Sequence, residues 1–258
     1  MKEILIERRE KTLRIAIKNK GKLMESIVDE ESNEPRIGEL YKGRVKNIIP
    51  GTNSIFVDLG LAKEGYLYYS NELKKEGIKK GEEILVEVIK EPLNDKGAKL
   101  STKFGIASKY MVLEKGSGIS FSVRFKDEVK KALILAELPE VEGAKLVVRT
   151  EAANVSIEEL MHERNLLIKE FNEINRRMKY STKLGKLYGE NLAISKVLRD
   201  KIGLDGAKII VNNEEDFEFI KNYIKDDENV KLILFDKGLC LFDFYDVERE
   251  LLKLRHHK

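Results

Sequence analysis

Short runs in which apolar and polar residues alternate with a period of two dominate the first part of the chain. Three such runs, ILIERR, TLRIAIKNK and KLMESIVDEES, are separated by turn residues and predict an antiparallel meander. The segment NEPRIG indicates a linker. Five further runs follow from Glu39: LYKGRVKNII, SIFVDLG, GYLYYS, EILVEVIKE and AKLSTK. Their order and their Gly- and Asn-containing turns predict a small closed barrel of the OB type.

The strand pair between Asn53 and Ser70 carries aromatic side chains on its polar side. Ile55 and Val57 fall on one face of the first strand, whereas Phe56 falls on the other, between Ser54 and Asp58. Tyr66 occupies the matching face of the second strand. Exposed aromatics on an OB sheet are surfaces on which unpaired bases stack, worth about 1–3 kcal/mol per base. Two alternatives stay open: ordinary surface aromatics, or reversed faces that make both rings core.

Lysines follow these aromatics along the chain. Lys90 ends the next predicted strand, and the turn NDKGAK supplies Lys96 and Lys99. Ammonium groups beside an aromatic surface neutralise phosphates and make binding salt-dependent. We therefore predict that Phe56, Tyr66 and the three lysines bind single-stranded RNA.

The second half of the chain mixes helices and strands. GISFSVRFKDEVKKALILAELP predicts a short strand and a helix that ends near Pro139, and KLVVR predicts another strand. In SIEE, Ser156 fits a helix cap to which Glu159 reaches back, and apolar spacing extends this helix to Met178. The last third alternates helix and strand, which predicts an α/β layer completed by the N-terminal meander.

Arg149 and Thr150 lie between the predicted KLVVR strand and the capped helix. A guanidinium can grip a phosphate with two parallel hydrogen bonds, and a neighbouring hydroxyl can add a third. An Arg-Thr pair is common by chance, so a solvated strand end is the alternative interpretation.

Composition adds few constraints. The 258 residues carry a net charge of +3, and 36% of them are charged, so the basic surplus is mild. The single cysteine, Cys240, excludes an intramolecular disulfide and suits a reducing compartment. Its apolar neighbours favour a core position. The N-terminus has no apolar signal core, and no stretch is long enough to span a bilayer, so we expect a cytoplasmic protein without a membrane partner.

Residues for catalysis or metal binding are scarce. No HExxH, CxxC, GxSxG or P-loop pattern is present. We interpret Asp236, Asp243 and Asp246 as structural, and we predict no catalytic residue, no metal ligand and no small-molecule substrate. The three histidines, none in a recognisable site pattern, are His162, His256 and His257.

Five segments, in order, resemble the bacterial ribonuclease E/G family. LYKGRVKNIIPGTNSIFVDLGLAKEGYLY is similar to the start of its S-one-type RNA-binding domain, and VIKEPLNDKGAKLST to a later segment of that domain. SKYMVL is similar to its Ser-Arg-Tyr-Leu-Val segment, ELPEVEGAKLVVRT to the approach to its 5′-end sensor, and AISKVLRD to one of its helices. The similarity covers nearly the whole chain.

The resemblance implies a mixed α+β architecture with an inserted domain. Residues 1–37 and 187–258 would form a ribonuclease-H-like α/β subdomain without that enzyme's chemistry. Residues 38–103 would form an inserted five-stranded OB-fold barrel, and residues 104–186 a small α/β 5′-sensor subdomain.

The resemblance also implies residue roles. Family residues that match Phe56, Tyr66, Lys90 and Lys96 contact single-stranded RNA. Those that match Arg149 and Thr150 hold a 5′-monophosphate, helped by the backbone at the position of Val112.

The chain departs from the family pattern in three respects. Phe121 and Ser122 stand where the family often has two arginines, and Asn154 stands where its sensor loop commonly has glycine. The family's catalytic Asp-x-Asn segment follows the helix that matches LLKLRHHK, and its zinc-link cysteines lie further on. We therefore expect no cofactor here, with magnesium needed only by that nuclease subdomain. We expect a monomer, because the family's oligomerisation regions also lie beyond this match.

The main prediction is a portion of a ribonuclease E/G-like protein that binds single-stranded RNA and senses 5′-monophosphate ends in RNA processing or decay, including rRNA processing and mRNA decay. One alternative is an endoribonuclease whose catalytic half is supplied elsewhere. Another is a non-enzymatic module for ribosomal or other structured RNA. The least specific alternative is a structural or protein-binding domain.

Overall fold

The computed structural model describes residues 1–30, 32–189, 191–202, 205–224 and 227–255. His256 and His257 lie outside these ranges. The strands in the described ranges are, in chain order, β1 (Lys2–Arg9), β2 (Thr12–Asn19), β3 (Lys22–Glu30), β4 (Leu40–Ile49), β5 (Ser54–Asp58), β6 (Gly65–Tyr68), β7 (Glu83–Lys90), β8 (Lys99–Ser101), β9 (Gly105–Ala107), β10 (Met111–Lys115), β11 (Ile119–Phe121), β12 (Ala144–Val148), β13 (Gly185–Tyr188), β14 (Ala207–Val211) and β15 (Val230–Leu234). The α-helices are α1 (Asn71–Glu76), α2 (Glu128–Glu137), α3 (Ile157–Tyr180), α4 (Leu192–Lys201), α5 (Glu214–Tyr223), α6 (Leu241–Phe244) and α7 (Val247–Arg255).

The chain divides into two compact units. One consists of Met1–Ser32 and Asp200–Lys258, and the other of Asn33–Arg199. Along the sequence, the second unit is therefore inserted between two segments of the first.

The first unit contains a five-stranded sheet with the order β15-β14-β1-β2-β3. The first three strands form an antiparallel meander, and β14 pairs with β1 in parallel. Leu5 on β1 packs against Phe242 and Val247 of α6 and α7, while Ile4 and Ile6 point to the opposite face and are also fully buried. The sequence prediction that the meander and the last third share one layer is confirmed.

The five-stranded barrel predicted from the alternating runs is present in the second unit. Its strands pair in the order β4-β5-β6-β8-β7, and β7 pairs back with β4 to close the ring. The interior is filled by the apolar residues of alternate positions, which include Tyr41, Val45, Ile55, Val57, Leu67, Val86, Val88 and Leu100. The chain thus has a mixed α+β fold with a closed OB-like barrel.

A second sheet of the inserted unit has the order β11-β12-β10-β9 and packs against α3. The predicted amphipathic helix is confirmed, since Leu160, Leu167 and Phe171 are buried. Ser156 caps α3 by accepting a hydrogen bond from the Glu159 backbone N–H at 3.1 Å. The reciprocal half of the capping box was predicted wrongly, because the Glu159 carboxylate instead accepts the hydroxyl of Tyr110.

Three further features concern membrane spanning, metal binding and the single cysteine. No helix in the described ranges is both long enough and apolar enough to cross a membrane. The same ranges hold no cluster of three or more His, Cys, Asp or Glu side chains that could bind a metal ion. Cys240, predicted to be core, is only partly buried at the start of α6, and a hydrogen bond with Asp243 raises the pKa of its thiol.

Gly97 fixes the loop between β7 and β8 against the end of the β5–β6 connection. A Cβ atom at this position would lie 1.7 Å from the carbonyl oxygen of Glu64, so only glycine permits this backbone approach. The Lys63 ammonium supports the same loop by donating to the Asn94 carbonyl at 2.8 Å. The turn that carries Lys96 can therefore hold this position only because residue 97 has no side chain.

Replacing Gly97 should test this constraint. Gly97→Ala forces the Glu64 backbone away, so we expect the unfolding free energy to fall by about 2 kcal/mol or more. The matched control is Gly51→Ala, because a Cβ atom at Gly51 meets nothing within 4 Å. That variant should be neutral or gain up to about 1 kcal/mol. Urea unfolding followed by circular dichroism checks both, and equal midpoints for the two variants would contradict the assignment.

Candidate functional site

A row of side chains crosses the outside of the barrel in continuous register. Phe56 on β5 pairs with Tyr66 on β6, and Tyr66 pairs with Lys99 on β8. Lys99 then pairs with Lys90 on β7, and at the other end Phe56 pairs with Asn47 on β4. Neighbouring strands lie about 4.8 Å apart, so the row spans roughly 19 Å. Four of the five predicted RNA-binding residues thus lie in one line.

The faces of the strands agree with the alternation of the sequence. Ile55 and Val57 are fully buried on either side of Phe56, which is itself partly exposed. Tyr66 is also partly exposed, and its ring lies 6.4 Å from that of Phe56 in an edge-on arrangement. The interpretation of both rings as core residues is therefore wrong. They form the aromatic platform, a name used below for these two residues.

Two bulges bring the ends of the row into line. The register of β4 against β5 shifts between Val45 and Asn47, and that of β7 against β8 shifts between Val88 and Lys90. Bulges of this kind redirect side chains along a strand. Because of the second shift, Lys90 lies opposite Lys99 and Ile89 does not.

The three predicted lysines are exposed, and no described carboxylate forms an ion pair with them. Within the described ranges, the ammonium groups of Lys90, Lys96 and Lys99 make no ion pair and no hydrogen bond. Other cations of the same barrel are paired: Lys46 contacts Glu64 at 2.5 Å, and Arg44 contacts Glu83 at 2.8 Å. Among the described cations of the barrel strands, those on β4 are thus paired, whereas Lys90 on β7 and Lys99 on β8 are not.

Lys96 lies beside the row and not within it. Its backbone closes a tight turn with Leu93, with N–H···O distances of 3.0 and 3.2 Å in the two directions. Three residues later the chain enters β8 at Lys99. The turn therefore carries Lys96 as a flanking cation.

Arg149 directly follows β12 at one end of the second sheet and is held by the backbone of a neighbouring loop. Its N–H donates to the Tyr110 carbonyl at 2.7 Å, and its guanidinium Nη1 donates to the Ser108 carbonyl at 2.8 Å. The Nε atom lies 3.9 Å from a carboxylate oxygen of Glu151, and both side chains are largely exposed. Because a neutral carbonyl orients it, the guanidinium keeps donors for a further anion.

Val112 and Thr150 lie near Arg149. Val112 on β10 is in register with Val147, two residues before Arg149, so its backbone is a diagonal neighbour of the arginine. Thr150 begins a short 3-10 turn, and its side chain is exposed. The structure brings the three predicted phosphate-binding residues to one end of the second sheet.

A buried carboxylate anchors this loop. Glu163 on α3 is 4% exposed and accepts hydrogen bonds from the Ser108 hydroxyl and, at 2.8 Å, from the Tyr110 N–H. The Ser108 hydroxyl also contacts the Met111 carbonyl at 3.0 Å. Glu163 thereby sets the position of the carbonyl that orients Arg149. Sequence reasoning missed this residue, since a glutamate on a charged helix carries no signal of burial.

Lys109 is a second cation of the loop that was not predicted. Its ammonium lies 4.7 Å from the centroid of the Tyr110 ring. A hydrogen bond with Tyr110 raises the pKa of Lys109, so the side chain stays charged at neutral pH.

The positions that depart from the family pattern have defined structural roles. The Phe121 ring packs at 5.2 Å from Phe125, and the Ser122 hydroxyl accepts the backbone N–H of Arg124 at 3.4 Å. Asn154 ends the 3-10 turn that Thr150 begins. Phe121 and Ser122 therefore contribute packing and turn formation where arginines would supply charge.

A cleft of about 430 Å³ lies elsewhere in the inserted unit. Residues of α1, β7 and α3 line it, among them Leu73, Ile84 and Phe171. None of the predicted binding residues is among the described residues that line this cleft, so it is separate from both predicted sites.

Comparison with known proteins identifies the class to which this fold and these sites belong. The sequence profile of the Ribonuclease E/G family matches residues 105–258. The chain belongs to the ribonuclease E/G family, which confirms the resemblance inferred from the motifs. Its relatives are ribonucleases.

Individual relatives align over almost the whole chain. Ribonuclease G of Haemophilus influenzae is 31% identical over 276 residues, covering 96% of this chain and 56% of that protein. Ribonuclease G of Escherichia coli is 29% identical, covering 99% and 57%. Ribonuclease E of Escherichia coli is 27% identical, covering 97% and 26%. The chain thus spans little more than half the length of the ribonuclease G relatives and about a quarter of that ribonuclease E.

Removing the buried anchor should destabilise the second sheet. Glu163→Ala leaves the Tyr110 N–H without its acceptor and removes one of the two acceptors of the Ser108 hydroxyl, at an expected loss of about 1–3 kcal/mol. The control is Glu173→Ala on the same helix, where the exposed pair with Arg176 is worth at most about 0.5 kcal/mol. Chemical denaturation of the full chain measures both. A Glu163→Ala midpoint as high as that of the control would overturn the anchoring role.

Proposed function

We propose that this chain binds single-stranded RNA across the outside of the barrel and holds a 5′-monophosphorylated end at Arg149 and Thr150. The observation that carries the proposal is the continuous row in which the aromatic platform is followed by Lys99 and Lys90. In this proposal the chain serves RNA processing or decay as part of a cytoplasmic ribonuclease E/G-type protein.

The aromatic platform favours single-stranded over double-stranded RNA. A ring that is partly exposed can stack on a base only when that base is free of its own neighbours in a duplex. Phe56 and Tyr66 offer two adjacent rings whose mutual edge-on packing limits their movement. Binding through π-faces tolerates any base, so we expect weak sequence preference.

The unpaired lysines supply the electrostatic part of the interaction. A phosphate contacted by Lys90, Lys96 or Lys99 displaces condensed counterions, which favours binding at low salt. No carboxylate within the described ranges competes for these three ammonium groups. The mild net charge of +3 therefore understates the local positive potential.

The geometry at Arg149 suits a terminal phosphate. The Ser108 carbonyl occupies one donor of the guanidinium, which fixes the plane of the group and leaves other N–H donors for phosphate oxygens. Thr150 adds an exposed hydroxyl next to it. A monophosphate carries more charge than an internal phosphodiester, so it gains more from such a grip.

The names of the relatives support RNA as the ligand. Ribonuclease G and ribonuclease E are, by name, enzymes that cleave RNA. We infer that the strand held by this chain is RNA destined for cleavage or maturation in the same protein family.

Removing the aromatic platform should weaken RNA binding strongly. For Phe56→Ala combined with Tyr66→Ala, the loss of two stacking surfaces at about 1–3 kcal/mol each predicts at least a tenfold weaker affinity. Fluorescence anisotropy with a labelled, unstructured RNA measures the change.

Tyr180→Ala is the matched control, because Tyr180 is 65% exposed on α3 and is not a member of the row. It should bind like the unmodified chain. Unchanged affinity of the double variant would favour a structural or protein-binding role for the barrel.

Arg149→Ala should separate end recognition from strand binding. Loss of charge-assisted hydrogen bonds, worth about 1.5–3 kcal/mol, predicts roughly ten- to hundredfold weaker binding of 5′-monophosphorylated RNA. The same RNA with a 5′-hydroxyl should bind the variant and the unmodified chain equally.

Arg176→Ala, which removes an exposed arginine of α3, serves as the control. Equal affinity of the unmodified chain for both RNA ends would refute end sensing and favour the non-enzymatic RNA-binding module. That result would leave the interpretation of the variant with Phe56→Ala and Tyr66→Ala unchanged.

A further inference from the structure

Tyr68 is the most exposed aromatic residue of the barrel strands and has no assigned role. Its side chain is 53% exposed, compared with the partly buried platform rings. It lies on β6 two residues after Tyr66, so both side chains point to the same outer face of the sheet. Its hydroxyl and ring make no hydrogen bond or ring contact with any described residue. The exposure therefore has no explanation within the barrel itself.

The neighbours of Tyr68 leave its ring uncovered. Its partner across the β5–β6 pair is Ser54, whose small side chain is buried and hydrogen-bonded to Thr52. Tyr66 lies opposite the ring of Phe56 on β5, whereas Tyr68 lies opposite the small side chain of Ser54. The Ser54–Tyr68 pair therefore leaves the tyrosine ring uncovered, whereas the neighbouring Phe56–Tyr66 pair consists of two aromatic rings.

The backbone at Tyr68 is rigidly held. The next residue, Tyr69, donates its N–H to the Asn53 carbonyl at 2.9 Å, which closes the strand pair. Ser70 then caps α1 by accepting the Leu73 N–H at 3.3 Å. Because the backbone is already fixed, binding of a ligand needs to order only the side chain of Tyr68.

The spacing along β6 suits successive bases. Two residues of a strand span about 6.6–6.8 Å, so the rings of Tyr66 and Tyr68 begin about that far apart. Van der Waals contact between stacked carbon atoms occurs at about 3.5–4.0 Å. A base therefore fits against Tyr68 without displacing a base on Tyr66.

We propose that Tyr68 is a third stacking position, which binds one further base of the same single strand. This inference rests on the proposed RNA-binding function and extends its footprint along β6, away from the row. The unpaired lysines of the row contact the phosphates of the strand, and Tyr68 receives a further base beside the row. The ligand class is an unpaired nucleobase of any identity.

Tryptophan substitution provides a direct test, because the chain contains no tryptophan. Tyr68→Trp introduces a single indole at the proposed position, and a base stacked on it should quench its fluorescence when oligouridylate is added. Phe56→Trp reports on the platform in the same way. Tyr180→Trp, at an exposed site on α3, is the control and should not respond.

The two proposals fail in distinguishable ways. Quenching at both positions 56 and 68 supports the third stacking position. Quenching at position 56 alone overturns this inference and leaves RNA binding intact. A lack of RNA binding by the unmodified chain overturns both.

Affinity measurements on the full chain add an independent criterion. Tyr68→Ala should weaken binding of a long oligouridylate roughly fivefold or more, whereas Tyr68→Phe should retain it, because the phenyl face remains. Tyr68→Leu keeps apolar area but no π-face and should behave like Tyr68→Ala. If Tyr68→Leu binds as well as Tyr68→Phe, stacking at this residue is refuted.

Discussion

The register of the strand pairings in the closed barrel determines the surface on which the proposed function depends. The N-terminal half of β4 pairs with β7 and its C-terminal half with β5, so a single strand joins the two ends of the sheet. Lys90 is held in line with Tyr66 and Phe56 by the other pairings of the ring, which run from β7 through β8 and β6 to β5. Because side chains alternate with a period of two, a one-residue slip of β5 or β6 would turn Phe56 or Tyr66 inward. Burial of Ile55 and Val57 prevents that slip.

Charge on this barrel is distributed unevenly, and the distribution costs little stability. Exposed ion pairs contribute about 0–1 kcal/mol, so leaving Lys90, Lys96 and Lys99 unpaired forfeits little folding energy. The same ammonium groups gain much more beside a polyanion, where displaced counterions favour binding. The cations of β4 are paired, as Lys46 is with Glu64.

The barrel and the outward direction of Phe56 could be predicted from the sequence, because alternation of apolar residues directly encodes which face is buried. The alignment of Lys90 with Lys99 could not. Regular antiparallel pairing beyond Val88 and Leu100 would place Ile89 opposite Lys99, and only the bulge puts the lysine there. A bulge depends on how whole strands fit together in the closed barrel. The alternation of apolar and polar residues within one strand does not show where it will occur.

Arg149 also remains available to a ligand, because the nearby buried acid binds the loop and not the guanidinium. The arginine is oriented by a neutral carbonyl, while the buried carboxylate nearby, Glu163, binds the backbone and hydroxyl of the loop. Had Glu163 paired with Arg149 directly, the guanidinium charge would be neutralised and buried, and a phosphate would have to displace a carboxylate. Because Glu163 binds the loop and not Arg149, it fixes the loop while the guanidinium stays available to a phosphate. The motif predicted the arginine, whereas the glutamate that positions it became visible only through burial and hydrogen bonding.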